Sequence, residues 1–179
     1  ANNSANPVLS IRKEGNTPAW GAVFEQYFQE IDKVKGQKGV LSVEKKLFVE
    51  TNNGTNRQIR PVTPEQPLRI GDKVIVRLTI RTDREMNYVF LKDLRAGCFE
   101  PADQLSGPES RDGIWYYRSP KDVSENFFIN RLPEGTFVLE YPVYVSRSGE
   151  YAGGISTIQC MYAPEFVSHT AGESLRIMP

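Results

Sequence analysis

The chain has 179 residues, 39% of them hydrophobic and 25% charged, which is enough for one ordinary domain or for one domain plus a fragment of a neighbour. Its 22 basic and 22 acidic side chains cancel without a run of five like charges, which argues against nucleic acid or an anionic membrane as partner. No stretch approaches the roughly 18 consecutive apolar residues of a membrane span, so direct insertion is not expected. Ala1-Asn2-Asn3-Ser4 has neither the basic nor the apolar part of a signal peptide; either export is absent or this is a segment of a larger exported chain.

Residues 8–11 are a short strand candidate, Glu14-Gly15-Asn16-Thr17-Pro18 is a turn, and residues 19–34 are ambiguous. Trp20, Phe24, Tyr27, Phe28, Ile31 and Val34 fit helical spacing, while the preceding turn and the aromatic content fit a second hairpin strand over residues 20–29. From Val40 onward strands dominate. Leu41, Val43, Leu47 and Val49 share a face interrupted by Lys45, and residues 51–56 form a loop or hairpin end. Pro61, Pro64 and Pro67 forbid a helix and suggest an extended connector. After Gly71-Asp72, Val74, Val76, Leu78 and Ile80 alternate with polar residues, and only Ile75 breaks the pattern.

Asp83, Arg84 and Glu85 read as a charged hairpin tip, residues 88–94 as a strand, and residues 102–113 as a polar loop. Residues 114–118 and 126–132 follow as strands. Leu132-Pro133-Glu134-Gly135 is a type I turn launching a strand in which Phe137, Leu139, Tyr141, Val143 and Val145 share the face to be buried. Pro142 lacks an N–H and belongs at an edge or a bulge. With residues 155–162 the set reaches seven or eight strands and no βαβ alternation, which predicts a mainly β, antiparallel sandwich of immunoglobulin-like architecture.

Catalytic constellations are scarce. His169 is the one histidine, so neither a His-dependent triad nor a multi-histidine metal site can be built on it alone. Glu109 and Asp112 lie in a hydrophilic stretch where solvated charges are the ordinary reading, and no glycine-rich phosphate loop follows a strand. No enzyme activity, metal or cofactor is expected. Asn2-Asn3-Ser4 and Asn53-Gly54-Thr55 match the three-residue glycosylation sequon, a pattern too short to carry weight by itself.

Gly71-Asp72, Phe99-Glu100-Pro101, Trp115-Tyr116-Tyr117, Leu132-Pro133-Glu134-Gly135-Thr136 and Met161-Tyr162-Ala163-Pro164-Glu165-Phe166, in this order and spacing, together resemble the C-terminal macroglobulin-like domain (MG10 type) of bacterial α2-macroglobulins. Pro18-Ala19-Trp20-Gly21-Ala22 and Tyr27-Phe28 look like the end of the module preceding that domain. The resemblance implies a β-hairpin extension over residues 1–35, a macroglobulin-like sandwich over residues 36–179, and a preference for strand over residues 20–29. It also implies a structural and interaction domain of a protease-trapping protein, periplasmic or at the cell surface and anchored through a part outside this segment. Its partners would be neighbouring domains of the same polypeptide, and proteases by way of the full-length protein.

The family's thioester needs Cys-x-Glu-Gln, and Cys98-Phe99-Glu100-Pro101 fails at the fourth position because proline has no carboxamide; no thioester is expected here. Cys98 and Cys160 permit a disulfide, worth about 4 kcal/mol if formed, or are two buried thiols that never meet. Trp115 and Tyr117 fall on one face of their strand and Tyr116 on the other. Either the pair fills the core, or a face of rings is turned outward as a contact surface, as in a secreted carbohydrate-binding or adhesive sandwich.

Overall fold

The computed structural model describes residues 10–20, 27–53 and 56–179. A five-stranded sheet is built in the order β2 (Asn56–Pro61), β1 (Ser42–Asn53), β4 (Lys73–Thr82), β10 (Gly135–Val145) and β6 (Phe99–Pro101). Packed on it is a six-stranded sheet in the order β13 (Val167–His169), β12 (Ser156–Cys160), β5 (Met86–Leu94), β9 (Ser124–Leu132), β8 (Ile114–Pro120) and β7 (Gly107–Arg111). A small third sheet, β11 (Gly149–Ala152), β14 (Ser174–Met178) and β3 (Leu68–Arg69), contributes Leu68, Leu175 and Ile177 to the core. Every pairing is antiparallel except that of β14 with β3.

The period-two pattern sets which side of each strand is buried. Val74, Val76, Leu78 and Ile80 of β4 and Phe137, Leu139, Tyr141, Val143 and Val145 of β10 face Val89, Leu91, Phe127, Ile129 and Ile158 of the six-stranded sheet. Each such side chain gains about 1.5–3 kcal/mol relative to exposure, enough collectively to hold the two sheets together. Pro142 does not lie on an edge strand: β10 runs between β4 and β6, and the position stands just past the β10–β6 ladder, where its carbonyl accepts from Ala102 N at 3.4 Å and the missing N–H leaves that short ladder unextended. Ile75 is buried although it points to the outer side, where it stands opposite Pro142 and Phe48.

Lys45 interrupts the apolar face of β1 because it reaches through the core. Its Nζ donates to Asp93 Oδ1 (2.8 Å) and to the carbonyls of Leu94 (2.9 Å) and Gly153 (3.3 Å). Asp93 also accepts from Ser156 Oγ at 2.7 Å and from the Tyr141 hydroxyl, whose pKa is pushed well above its usual value by burial and by this carboxylate. Alongside, Glu125 accepts from Arg95 Nη1 (3.0 Å) and Arg118 Nε (2.8 Å), and Arg118 continues outward to Asp103 (3.2 Å). Burial nevertheless outweighs the two guanidinium groups and raises the Glu125 pKa. These buried charges cross-link strands that the apolar pattern alone would only press together.

Several expectations are corrected. Residues 83–85 are not a hairpin tip: β4 and β5 belong to different sheets, so they turn a corner between layers. Residues 102–113 contain a strand, β7, whose polar sequence suits a sheet edge. Fourteen strands stand among the described residues rather than seven or eight, the additional ones being short and, apart from β14 at the centre of the small sheet, lying at sheet edges. The two cysteines, for which the sequence leaves open both a disulfide and separate thiols, stand as buried free thiols. Cys160 pairs with Val89 near the start of β5, whereas Cys98 follows the end of that strand.

At the N-terminal side, residues 10–20 and 27–30 carry no strand. The centre of the ambiguous segment, residues 21–26, lies outside the described residues, as do Val8, Leu9, both residues after Asn53 in its sequon, and the whole of Asn2-Asn3-Ser4. A single 3-10 turn, Ile31–Lys33, is followed by a seam against the segment between β13 and β14. Gly172 N donates to Val34 O at 2.8 Å, and Gln37 and His169 exchange backbone bonds of 2.9 and 3.0 Å. A Cβ at Gly172 would lie 1.7 Å from the Ile31 carbonyl oxygen, so only glycine permits this approach.

Candidate docking surface

The outward side of the six-stranded sheet is aromatic. Register places Gln159 of β12, Phe90 of β5, Phe128 of β9, Tyr117 of β8 and Pro108 of β7 in one row across it. Phe90 and Phe128 stack with ring centroids 4.9 Å apart. Trp115 is 71% exposed and Tyr117 47% exposed, whereas Tyr116 is 6% exposed and points inward against Phe127. The rings of Trp115 and Tyr117 therefore do not fill the core, and it is Tyr116 that does. Its hydroxyl donates to Glu109 at 3.0 Å, and burial together with that carboxylate pushes its pKa up to about 12.

At the β12 end of this face, Tyr88, Phe90, Phe128, Asn130, Met161 and Tyr162 line a depression of about 290 Å³. Tyr88 has φ 56°, a left-handed conformation that a bulky residue adopts only under constraint from its surroundings, at a cost of about 1–3 kcal/mol. Met161 N donates to the Tyr88 carbonyl (2.9 Å), and the Tyr88 ring meets Tyr162 edge to face at 5.1 Å. Tyr162 itself is 81% exposed. A strained backbone that holds two rings together at the surface, where neither is buried, points to a contact made with something else.

The other expected positions are dispersed. Cys98 lies buried ahead of β6 with its thiol raised to about 11 by burial, which leaves it unreactive. Cys160 Sγ sits 3.3 Å from the Asn87 carbonyl. His169 Nδ1 is 3.1 Å from the Thr170 carbonyl, and Asp112, also at positive φ, turns the β7–β8 hairpin away from Glu109, which pairs with Arg118 at 3.5 Å. Of the Trp115-Tyr116-Tyr117 run singled out in the sequence, only Trp115 and Tyr117 lie on this face. The signal for the rest was the alternation itself: Tyr88 and Phe90 bracket the core residue Val89, and Phe128 lies between Phe127 and Ile129.

Residues 41–165 match the family model described as Bacterial Alpha-2-macroglobulin MG10 domain. Among solved structures, Salmonella alpha-2-macroglobulin reacted with methylamine aligns over 81% of this chain and 10% of its own, with 21% identity and a TM-score of 0.63. Escherichia coli alpha-2-macroglobulin activated by porcine elastase aligns over 81% of this chain and 14% of its own, with 18% identity and a TM-score of 0.63. At such identities the likeness is one of fold. Circularly permutated Ras protein 2 of Dictyostelium discoideum is 28% identical over 109 residues, which is 61% of this chain and 3% of that protein. The chain thus spans a small part of each of these proteins. With well over half of its length matched by the family model, the chain belongs to the Bacterial Alpha-2-macroglobulin MG10 domain family.

Proposed function

We propose that this chain is a non-catalytic docking domain of a bacterial α2-macroglobulin-like endopeptidase inhibitor, with neighbouring domains of the same polypeptide as its direct partners. The observation that carries the reading is the exposed ring surface from Trp115 and Tyr117 through Phe128 and Phe90 to Tyr88 and Tyr162. Aromatic side chains supply large contact area at low conformational cost, and they dominate the energetics of protein contacts. In this reading proteases are engaged by the full-length protein, in the periplasm or at the cell surface, and residues 1–35 are the end of the preceding module.

The test is to make Phe128→Asp and Tyr162→Asp, singly and together, in the longer polypeptide that carries this domain, and to follow compaction on native gels and retention of an added protease. The double variant loses both; Lys73→Ala on the opposite sheet keeps both. Wild-type trapping by the double variant would refute a docking role for this surface.

Exposure of Trp115 beside Tyr117 also favours a second reading, a carbohydrate-binding or adhesive sandwich. A glycan array separates the two: sugar binding that is lost in Trp115→Ala and retained in Tyr162→Asp supports the second reading, and absence of any bound glycan removes it.

A further inference from the structure

A second surface, on another side of the molecule, has the makings of a strand acceptor. A groove of about 850 Å³ lies between β1 and β14, floored by Leu47, Val62, Leu68 and Leu175. Its walls are strand edges that their own sheets leave open. β2 pairs with β1 only from Phe48 onward, and β3 pairs with β14 only at Ile177 and Met178.

The direction of the open main-chain groups follows from the bonds just beyond them. Val62 N donates to Leu47 O at 3.0 Å, so by the alternation of a strand Lys45 turns its N–H and C=O to that same side, past the end of β2. On β14, Gly153 N donates to Glu173 O, which assigns Glu173 and Leu175 to the β11 side; Ile70 N donates to Met178 O, which assigns Ser174 and Arg176 to the groove side. Among the described residues the main-chain groups of Lys45 and Ser174 and the N–H of Arg176 have no partner, whereas the Arg176 carbonyl is taken by Leu68 N in the short β14–β3 ladder.

The connector from Pro61 to Pro67 closes one end of the groove. Its prolines keep it from continuing either ladder. The lining carries Lys45, Lys46 and Arg176 against the single acid Glu173. Lys45 is committed to Asp93, whereas Lys46 and Arg176 are exposed and take part in no ion pair among the described residues.

We propose that this groove receives an extended segment of a partner polypeptide as an added strand between β1 and β14, its acidic side chains meeting Lys46 and Arg176. Main-chain bonds to the two open edges supply affinity, the apolar floor takes alternate side chains, and the two cations select for acid-bearing segments. The site is separate from the ring surface of the six-stranded sheet, so it stands or falls independently of the docking role.

The experiment titrates the ¹⁵N-labelled domain with two synthetic peptides, acetyl-Glu-Val-Thr-Val-Thr-Glu-amide and its lysine-ended counterpart. The acidic peptide shifts the amides of Lys45, Ser174 and Arg176 and slows their hydrogen exchange. Lys46→Glu with Arg176→Glu weakens it by about tenfold or more and reverses the preference between the peptides. Should the double reversal disturb the amide spectrum of the free protein, Lys46→Met with Arg176→Met retains the aliphatic stems and gives the same comparison. Absence of binding at millimolar peptide, shifts that map to another face, equal response to both peptides, or protection of these amides by self-association without peptide would each overturn the proposal.

Discussion

The two outer faces of the sandwich solve the same problem in opposite ways. On the five-stranded sheet, charges are paired across strands: Lys73 with Glu50 (2.9 Å), Arg77 with Glu140 (2.6 Å), Arg81 with Glu44 (3.4 Å), with Arg111 reaching Glu140 from β7 (2.8 Å). On the six-stranded sheet the corresponding positions hold rings, and Tyr88 accepts an unfavourable backbone to present one of them. A face completed by its own salt bridges is finished in water. A face of stacked and exposed rings leaves apolar area in contact with water, which is the ground of the proposed docking role.

The largest effect is expected in the layer both faces share. Glu125→Ala leaves Arg95 and Arg118 buried without their common carboxylate and lowers stability by about 3–5 kcal/mol, read by chemical denaturation. A loss below 1 kcal/mol would mean that the buried charges are incidental and that packing alone joins the faces. Next comes the ring face, where stability and association should separate. Phe128→Ser costs the folded domain only about 1 kcal/mol, chiefly the stack with Phe90, while it weakens docking in the longer polypeptide by about 2 kcal/mol or more. Equal losses in both assays would make Phe128 a core residue rather than a contact residue.

Tyr88→Gly sharpens the contrast further. It removes the edge-to-face contact with Tyr162 but relieves the left-handed strain, so the melting temperature stays level or rises while docking falls. The same change at Phe90, whose backbone is ordinary strand, lowers the melting temperature. On the opposite face the effect is smaller and depends on pH. Burial opposes ionisation of Glu140, yet hydrogen bonds from Arg77 and Arg111 outweigh it and hold the carboxyl below its usual range. A depressed folded-state pKa contributes stability that is complete above the unfolded value of about 4.3 and is lost as pH falls through the folded value. Wild type therefore exceeds Glu140→Gln by about 1 kcal/mol or less near neutrality, and the difference closes toward pH 3. The smallest effect belongs to Lys38→Ala, within about 0.5 kcal/mol and erased by added salt.

The strand faces were legible because burial follows a strict alternation: all five inward residues of β10 and the four of β4 are buried as that rule requires. Lys45 was legible as an interruption, but not as a cross-link, since its partners Asp93, Leu94 and Gly153 come from distant parts of the chain. Sheet membership was harder still. The corner at residues 83–85 has the composition of a hairpin tip, and only the apolar faces of β4 and β5, which oppose each other across the core, reveal that the chain changes layers there. Trp115-Tyr116-Tyr117 told which rings share a side but not which side is inward; that depends on Tyr116 finding Phe127 and Glu109.

The seam at Gly172 has a mechanical consequence. Because Val34, Gln37 and Asp32 are fastened to Gly172, His169 and Ser174, any pull on the chain preceding Ile31 is delivered first to the β13–β14 segment and not to the interior of the sandwich. A few edge hydrogen bonds loaded one after another release at low force. The module would therefore let go of its leader strap before its body yields, behaving as a hinge plate whose weakest fastening sits next to the strand that walls the groove.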